Sequence, residues 1–158
     1  MGLNDNYGAV KLNVIGTYLT QFEVQLLPGD PFRDLKGTIG DQAITNVGNA
    51  LPEWKFLTSL TYDVGPVDLN ARWRYIGKMT DQTCTGKSTC TATSPAAVSY
   101  YDLTGSWRIN QTFTVTGGVN NITDKQPPFF SSFVQANTDP STYDVLGRRY
   151  FIGLKATF

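Results

Sequence analysis

Apolar and polar residues alternate along six stretches of the chain, and a period of two marks extended strands with two unlike faces. In residues 10–26 the even positions carry Val10, Leu12, Val14, Gly16, Tyr18, Thr20, Phe22, Val24 and Leu26, against Lys11, Asn13, Ile15, Thr17, Leu19, Gln21, Glu23 and Gln25 at odd positions. In 54–63, Trp54, Phe56, Thr58, Leu60 and Tyr62 alternate with Lys55, Leu57, Ser59, Thr61 and Asp63. The stretches 67–76, 99–109, 112–122 and 149–158 repeat the pattern, and no stretch carries a helical period. Enrichment in β-branched and aromatic residues agrees with strands. The prediction is an all-β, antiparallel, up-and-down arrangement of six strands.

The connections alternate in length. Long segments at about 27–53, 77–98 and 123–148 are separated by tight turns at Gly65-Pro66 and Asn110-Gln111. Short turns at one end and long loops at the other predict a transmembrane β-barrel segment. The apolar face then meets lipid and the polar face lines the lumen. Tyr18, Phe22, Trp54, Tyr62, Trp73, Tyr75, Tyr101, Trp107, Phe113, Tyr150 and Phe158 fall on the apolar face, mostly towards strand ends. The competing reading makes these the core of a soluble antiparallel β-barrel or sandwich that binds a small apolar ligand. Six strands do not close a membrane barrel, which begins at about eight. Two open edges in lipid also strand backbone groups at several kcal/mol each. Residues 1–158 are therefore expected to be the last six strands of a larger barrel.

Composition narrows the function. Among 158 residues, 13 Lys and Arg balance 13 Asp and Glu, so nothing attracts a polyanion and nucleic acid is not an expected partner. Charged residues are 16% and aromatics 13%, low and high for a soluble domain. The absence of His removes the usual general base and the commonest metal ligand, and two Cys do not build a four-ligand zinc site. No catalytic residues, metal or cofactor are expected. No run of about 18 apolar residues suggests a membrane helix. The start, MGLNDNYGAV, lacks the basic and apolar segments of a signal peptide. That fits a piece of a longer exported chain, or a mature region carrying a start Met.

The C-terminal third carries a family resemblance. The run Val119-Asn120-Asn121-Ile122-Thr123-Asp124-Lys125-Gln126-Pro127-Pro128 is followed by Tyr143-Asp144-Val145-Leu146-Gly147-Arg148-Arg149-Tyr150-Phe151 and a terminal Phe158. This resembles the end of TonB-dependent outer-membrane receptors, with Ile122-Thr123 where Leu-Phe is usual. Pro52-Glu53-Trp54 and Trp73-Arg74-Tyr75-Ile76-Gly77 are similar to further segments of that family. The resemblance implies a 22-stranded barrel with a plugged lumen, of which this chain supplies strands 17–22. It implies the outer membrane of a Gram-negative bacterium and active uptake of a scarce ligand, such as an iron–siderophore complex, cobalamin or an oligosaccharide. It implies as partners TonB, acting through a plug absent from these residues, outer-membrane lipid, and the barrel-assembly machinery. Phe158 would be the assembly signal, or simply one more lipid-facing residue. The fragment alone is not expected to transport.

Local chemistry gives a few candidate sites. Within the motif, Pro127-Pro128 is expected to stop the fifth strand, Gly147 to take a tight or left-handed turn, and Arg148 or Arg149 to bridge a carboxylate such as Asp144. Cys84 and Cys90 lie in an expected extracellular loop, where a disulfide closing a short loop is worth about 2 kcal/mol. Gly86-Lys87-Ser88 is not a phosphate loop, since that pattern needs Gly where Asp81 stands. Lumen-side charges alternate in sign: Lys11, Glu23, Lys55, Asp63, Asp68, Arg72, Arg74, Asp102, Arg108 and Lys155. They form either a salt-bridged, hydrated wall or a ligand path on which Arg72 and Arg74 attract an anion. Phe32, Arg33, Phe129, Phe130, Phe133 and Gln135 are the candidate ligand-facing loop residues.

Overall fold

A computed structural model describes residues 7–40, 50–82, 94–129 and 137–157. Six long strands dominate it: β1 (Ala9–Tyr18), β5 (Trp54–Val64), β6 (Val67–Ile76), β8 (Val98–Arg108), β9 (Phe113–Asn120) and β10 (Arg149–Ala156). Four two-residue strands lie in the connections: β2 (Glu23–Val24), β3 (Arg33–Asp34), β4 (Thr38–Ile39) and β7 (Thr80–Asp81). The long strands form one antiparallel sheet in the order β1-β5-β6-β8-β9-β10, so each pairs with the next long strand in the chain. β1 and β10 are its two edges.

The register joins the alternating faces of all six strands. Leu12 lies opposite Leu60, Leu60 opposite Ala71, Ala71 opposite Leu103, Leu103 opposite Val119, and Val119 opposite Tyr150. One step along, Lys11, Thr61, Asn70, Thr104 and Gly118 share the other face. A one-residue slip anywhere would reverse a strand's faces, so the pattern and the pairing support each other.

The two tight connections follow from local chemistry. Gly65-Pro66 is a two-residue hairpin with glycine first at φ 55, and Val64 pairs with Val67 across it. That is the residue order a type II′ turn requires. In the β8–β9 turn the Asn110 carboxamide oxygen accepts the N–H groups of Thr112 (2.9 Å) and Phe113 (2.8 Å). Such an Asx arrangement replaces backbone partners that the turn lacks.

Two expectations are corrected, and the connections add a third feature. The first strand does not run to residue 26. Its last rung is the Leu19 N–H on the Glu53 carbonyl (3.0 Å), and the partner strand β5 begins only at Trp54, after Pro52. Glu23-Val24 pairs instead with Arg33-Asp34 in a small hairpin. Phe22, Val24 and Leu26 therefore leave the sheet's apolar face, and Glu23 leaves the lumen side. The fifth strand is stopped by Asn121 rather than by Pro127-Pro128. Asn121 has φ 52, and its side chain accepts the Lys125 N–H (2.8 Å) and donates to the Lys125 carbonyl (2.9 Å). Asparagine tolerates this left-handed backbone because its short polar side chain bonds locally. The long loops are also not wholly irregular: β4 and β7 pair in parallel, joining the β1–β5 connection to the β6–β8 connection.

The buried core is small and sits at the loop end. Ile39, Ile76, Met79, Val98, Tyr100 and Tyr143 cluster there, with Ala50 against them. Ile76, Val98 and Tyr100 enter it from the polar face of the sheet. The apolar face is packed by no other element among the described residues. Leu12 is 66% exposed, Leu154 68% and Ile152 83%. A soluble two-layer fold would bury that face against a second layer.

Candidate functional site

The polar face carries a connected cluster of charged side chains near the loop end. Register alone places Arg72 directly opposite Asp102 on the β6–β8 ladder. Arg74 stands on the same face two residues along. Asp102 accepts Arg72 Nε (3.1 Å), Arg74 Nε (3.1 Å), Arg74 Nη2 (3.1 Å) and the Asn121 backbone N–H (2.8 Å). Its side chain is only 2% exposed, while those of Arg72 and Arg74 are 44% and 35% exposed. The carboxylate thus lies beneath two guanidiniums that face the open side.

A second carboxylate extends the cluster into the last loop. Asp144 pairs with both terminal nitrogens of Arg149 on β10, at 2.8 and 3.1 Å. It lies 3.6 Å from Arg74 Nη2. The Asp144 backbone N–H donates to the Tyr100 hydroxyl (3.2 Å), and the Arg74 guanidinium sits 5.1 Å from the Tyr100 ring centroid. Burial opposes ionisation of Asp144. The Arg149 hydrogen bonds, the Leu146 N–H and the charges of Arg149 and Arg74 outweigh it, so the carboxyl sits below its ordinary range. Burial, with Tyr100 and Asp139 nearby, pushes the Tyr143 phenol well up.

The two halves of the C-terminal motif clamp each other. The Arg148 N–H donates to Asp124 Oδ1 (2.9 Å), and Arg148 Nη1 reaches the Ile122 carbonyl (3.4 Å). Gly147 adopts φ 71, and a Cβ there would stand 2.8 Å from Asp124 Oδ1. The expected Arg149–Asp144 bridge and the left-handed Gly147 are both present.

Among the candidate residues, the structure brings Arg72 and Arg74 together on Asp102, which favours the salt-bridged wall for those contacts. Lys11 pairs with Asp63 on the same face. Phe32 (65% exposed) and Arg33 lie in the β2–β3 hairpin, and Phe129 is 55% exposed after the Asn121 turn. Cys84, Cys90, Phe130, Phe133, Gln135 and Phe158 lie outside the described residues. Sequence reasoning did not join Tyr100 and Asn121 to the cluster. Their partners lie on other strands or distant loops, and only cross-strand register reveals them.

On the apolar face, rings form a ladder at the loop end. Tyr18 and Trp54 are 4.3 Å apart between centroids, Trp54 and Phe56 5.5 Å, Phe56 and Tyr75 5.8 Å, and Trp73 and Tyr75 6.0 Å. Trp73 Nε1 donates to Ser99 Oγ (3.1 Å), and the Tyr18 hydroxyl donates to Glu53 (3.3 Å). The polar tips of Trp73 and Tyr18 find partners at the sheet's rim while the rings stay on the apolar face.

The architecture matches a segment of a receptor β-barrel. A solved structure that it resembles is a ferric enterobactin receptor of Pseudomonas aeruginosa, in a G324V mutant, with a TM-score of 0.57 at 18% identity. The match covers 94% of this chain and 20% of the receptor chain, so the chain spans about a fifth of that receptor's length. No protein-family model and no curated protein sequence matches significantly.

Proposed function

We propose that this chain is the C-terminal part of the β-barrel of a TonB-dependent outer-membrane receptor that takes up a scarce ligand, such as an iron–siderophore complex or an oligosaccharide. The observation that carries the proposal is the uncovered apolar face, continuous over six strands and rimmed by aromatics. Strands of 8–11 residues fit a bilayer crossed at a tilt. The opposite, polar face then lines a lumen, and Phe32, Arg33 and Phe129 lie in loops at its mouth. The two edges β1 and β10 pair with strands of the longer polypeptide, since open edges are not tolerated in lipid. In this reading a plug from the same polypeptide fills the lumen, TonB acts on that plug, and the barrel-assembly machinery reads Phe158.

The test is an immunoblot of membrane and soluble fractions from the source cell, with an antibody raised against this sequence. The expected result is a heat-modifiable polypeptide several times larger than 17.4 kDa in the outer-membrane fraction. A 17.4 kDa band in the soluble fraction would refute the proposal and restore the soluble barrel or sandwich.

A further inference from the structure

Charge in the polar-face cluster does not balance. Three guanidiniums, Arg72, Arg74 and Arg149, meet two carboxylates, Asp102 and Asp144. Among the described residues Arg72 spends only Nε, on Asp102, and its two terminal nitrogens make no hydrogen bond. Arg74 Nη1 makes none either among those residues. The Nε atoms of both arginines reach the same oxygen of Asp102, so the two guanidiniums are neighbours, and their side chains stay 44% and 35% exposed. Guanidinium donors in a fork suit a planar or tetrahedral oxyanion. The weakest contact in the cluster is Arg74 Nη2 to Asp144, at 3.6 Å. Asp144 stands on the loop that precedes β10, between Tyr143 and the left-handed Gly147.

We propose that Arg72 and Arg74 form an oxyanion site, and that Asp144 is its internal competitor. An oxyanion held by the spare donors draws Arg74 Nη2 away from Asp144 and leaves that loop held mainly through Arg149. Occupation of the site is thereby coupled to the freedom of the loop around residues 144–146. This rests on the receptor reading for its setting in a lumen, but not for its chemistry. The oxyanion comes either from a free ligand or from a carboxylate of the segment that fills the lumen.

The test uses the full polypeptide that carries this chain, spin-labelled at Leu146→Cys with Cys84 and Cys90 replaced by Ser. Leu146 is 72% exposed, so a label there reports loop motion without entering the core. Inorganic phosphate is titrated, with chloride at matched ionic strength as the screening control. The expected result is a more mobile label as phosphate rises, a need for at least about tenfold more phosphate in Arg72→Gln, and a label already mobile in Asp144→Asn. A phosphate response assigns the oxyanion to a free ligand. No phosphate response, with an Arg72→Cys thiol cross-linking as a disulfide, under an added two-electron oxidant, to a cysteine substituted for an Asp or Glu of the lumen-filling segment, assigns it to that segment. Neither response nor cross-link overturns the proposal, as does an unchanged midpoint in Arg72→Gln or an immobile label in Asp144→Asn. The immunoblot above fails or succeeds independently of these outcomes.

Discussion

Gly117 and Gly118 are adjacent on β9, yet alanine at the two sites is expected to act with opposite sign. They point to opposite faces of the sheet. A Cβ at Gly117 meets only the Phe151 carbonyl, at 3.5 Å, an ordinary contact on the apolar face. A Cβ at Gly118 meets the Leu103 carbonyl oxygen at 2.5 Å and the Phe151 ring at 2.7 and 2.8 Å. The ring lies across the glycine that pairs with it. It could swing away, but the Leu103 carbonyl belongs to the β8–β9 ladder and cannot retreat without opening the Leu103–Val119 and Thr104–Gly118 pairs. Gly117→Ala should therefore stabilise by about 0.5–1 kcal/mol, the entropy glycine loses in a strand. Gly118→Ala should cost about 2 kcal/mol as overpacking. The gap is about 3 kcal/mol, or roughly 150-fold in the unfolding equilibrium. The assay is urea unfolding of the full polypeptide in detergent, followed by tryptophan fluorescence. Pairing Gly118→Ala with Phe151→Leu should recover the share due to the ring and leave the share due to the carbonyl. Equal midpoints for the two alanine variants would refute the register and the packing argument together.

Three further predictions follow from the same structure. Asp102→Ala leaves two guanidiniums and the Asn121 N–H without their acceptor, and should cost about 2–4 kcal/mol in the same unfolding assay, with Asp102→Asn costing roughly half. Because the Asp144 carboxyl is held below its ordinary range, its contribution is fully present above the usual carboxylate pKa and is lost as pH falls through the depressed value; an acid titration of stability should show that loss, and Asp144→Asn should remove it. Leu12→Arg places a charge on the exposed apolar face, and should cost about 2–4 kcal/mol in a bilayer, read as lost outer-membrane yield, whereas an unchanged yield would contradict lipid contact.

Much of the sheet was legible because alternation is a local signal. It located all six long strands, and the Gly65-Pro66 turn fixes the β5–β6 register within a residue. Where the signal failed, a non-local partner decided. Phe22, Val24 and Leu26 keep the parity of β1, but β5 starts too late to pair with them, and two-residue strands such as β4 and β7 are too short to show a period. Pro127-Pro128 looked like the end of β9 because proline cannot donate, yet Asn121 stops it first through its own side chain. Arg72, Arg74 and Asp102 could each be placed on the polar face from sequence. Their pairing depends on the β6–β8 register, set across a long connection with no local determinant. The Arg149–Asp144 bridge was legible because the two residues stand only five positions apart.

The parallel β4–β7 pair works as a buckle on the hairpin between its two halves. Thr38 and Ile39 precede β5, Thr80 and Asp81 follow β6, and the Thr80 and Gln82 N–H groups reach the Gly37 and Ile39 carbonyls, each at 2.8 Å. Those bonds have no partner until β5 has turned at Gly65-Pro66 and β6 has returned to the same rim. The buckle is therefore expected to close last in this unit. Amide protons at Thr80 and Gln82 should gain protection after those of β5 and β6 in a pulse-labelled folding experiment, and so time-stamp the completed hairpin.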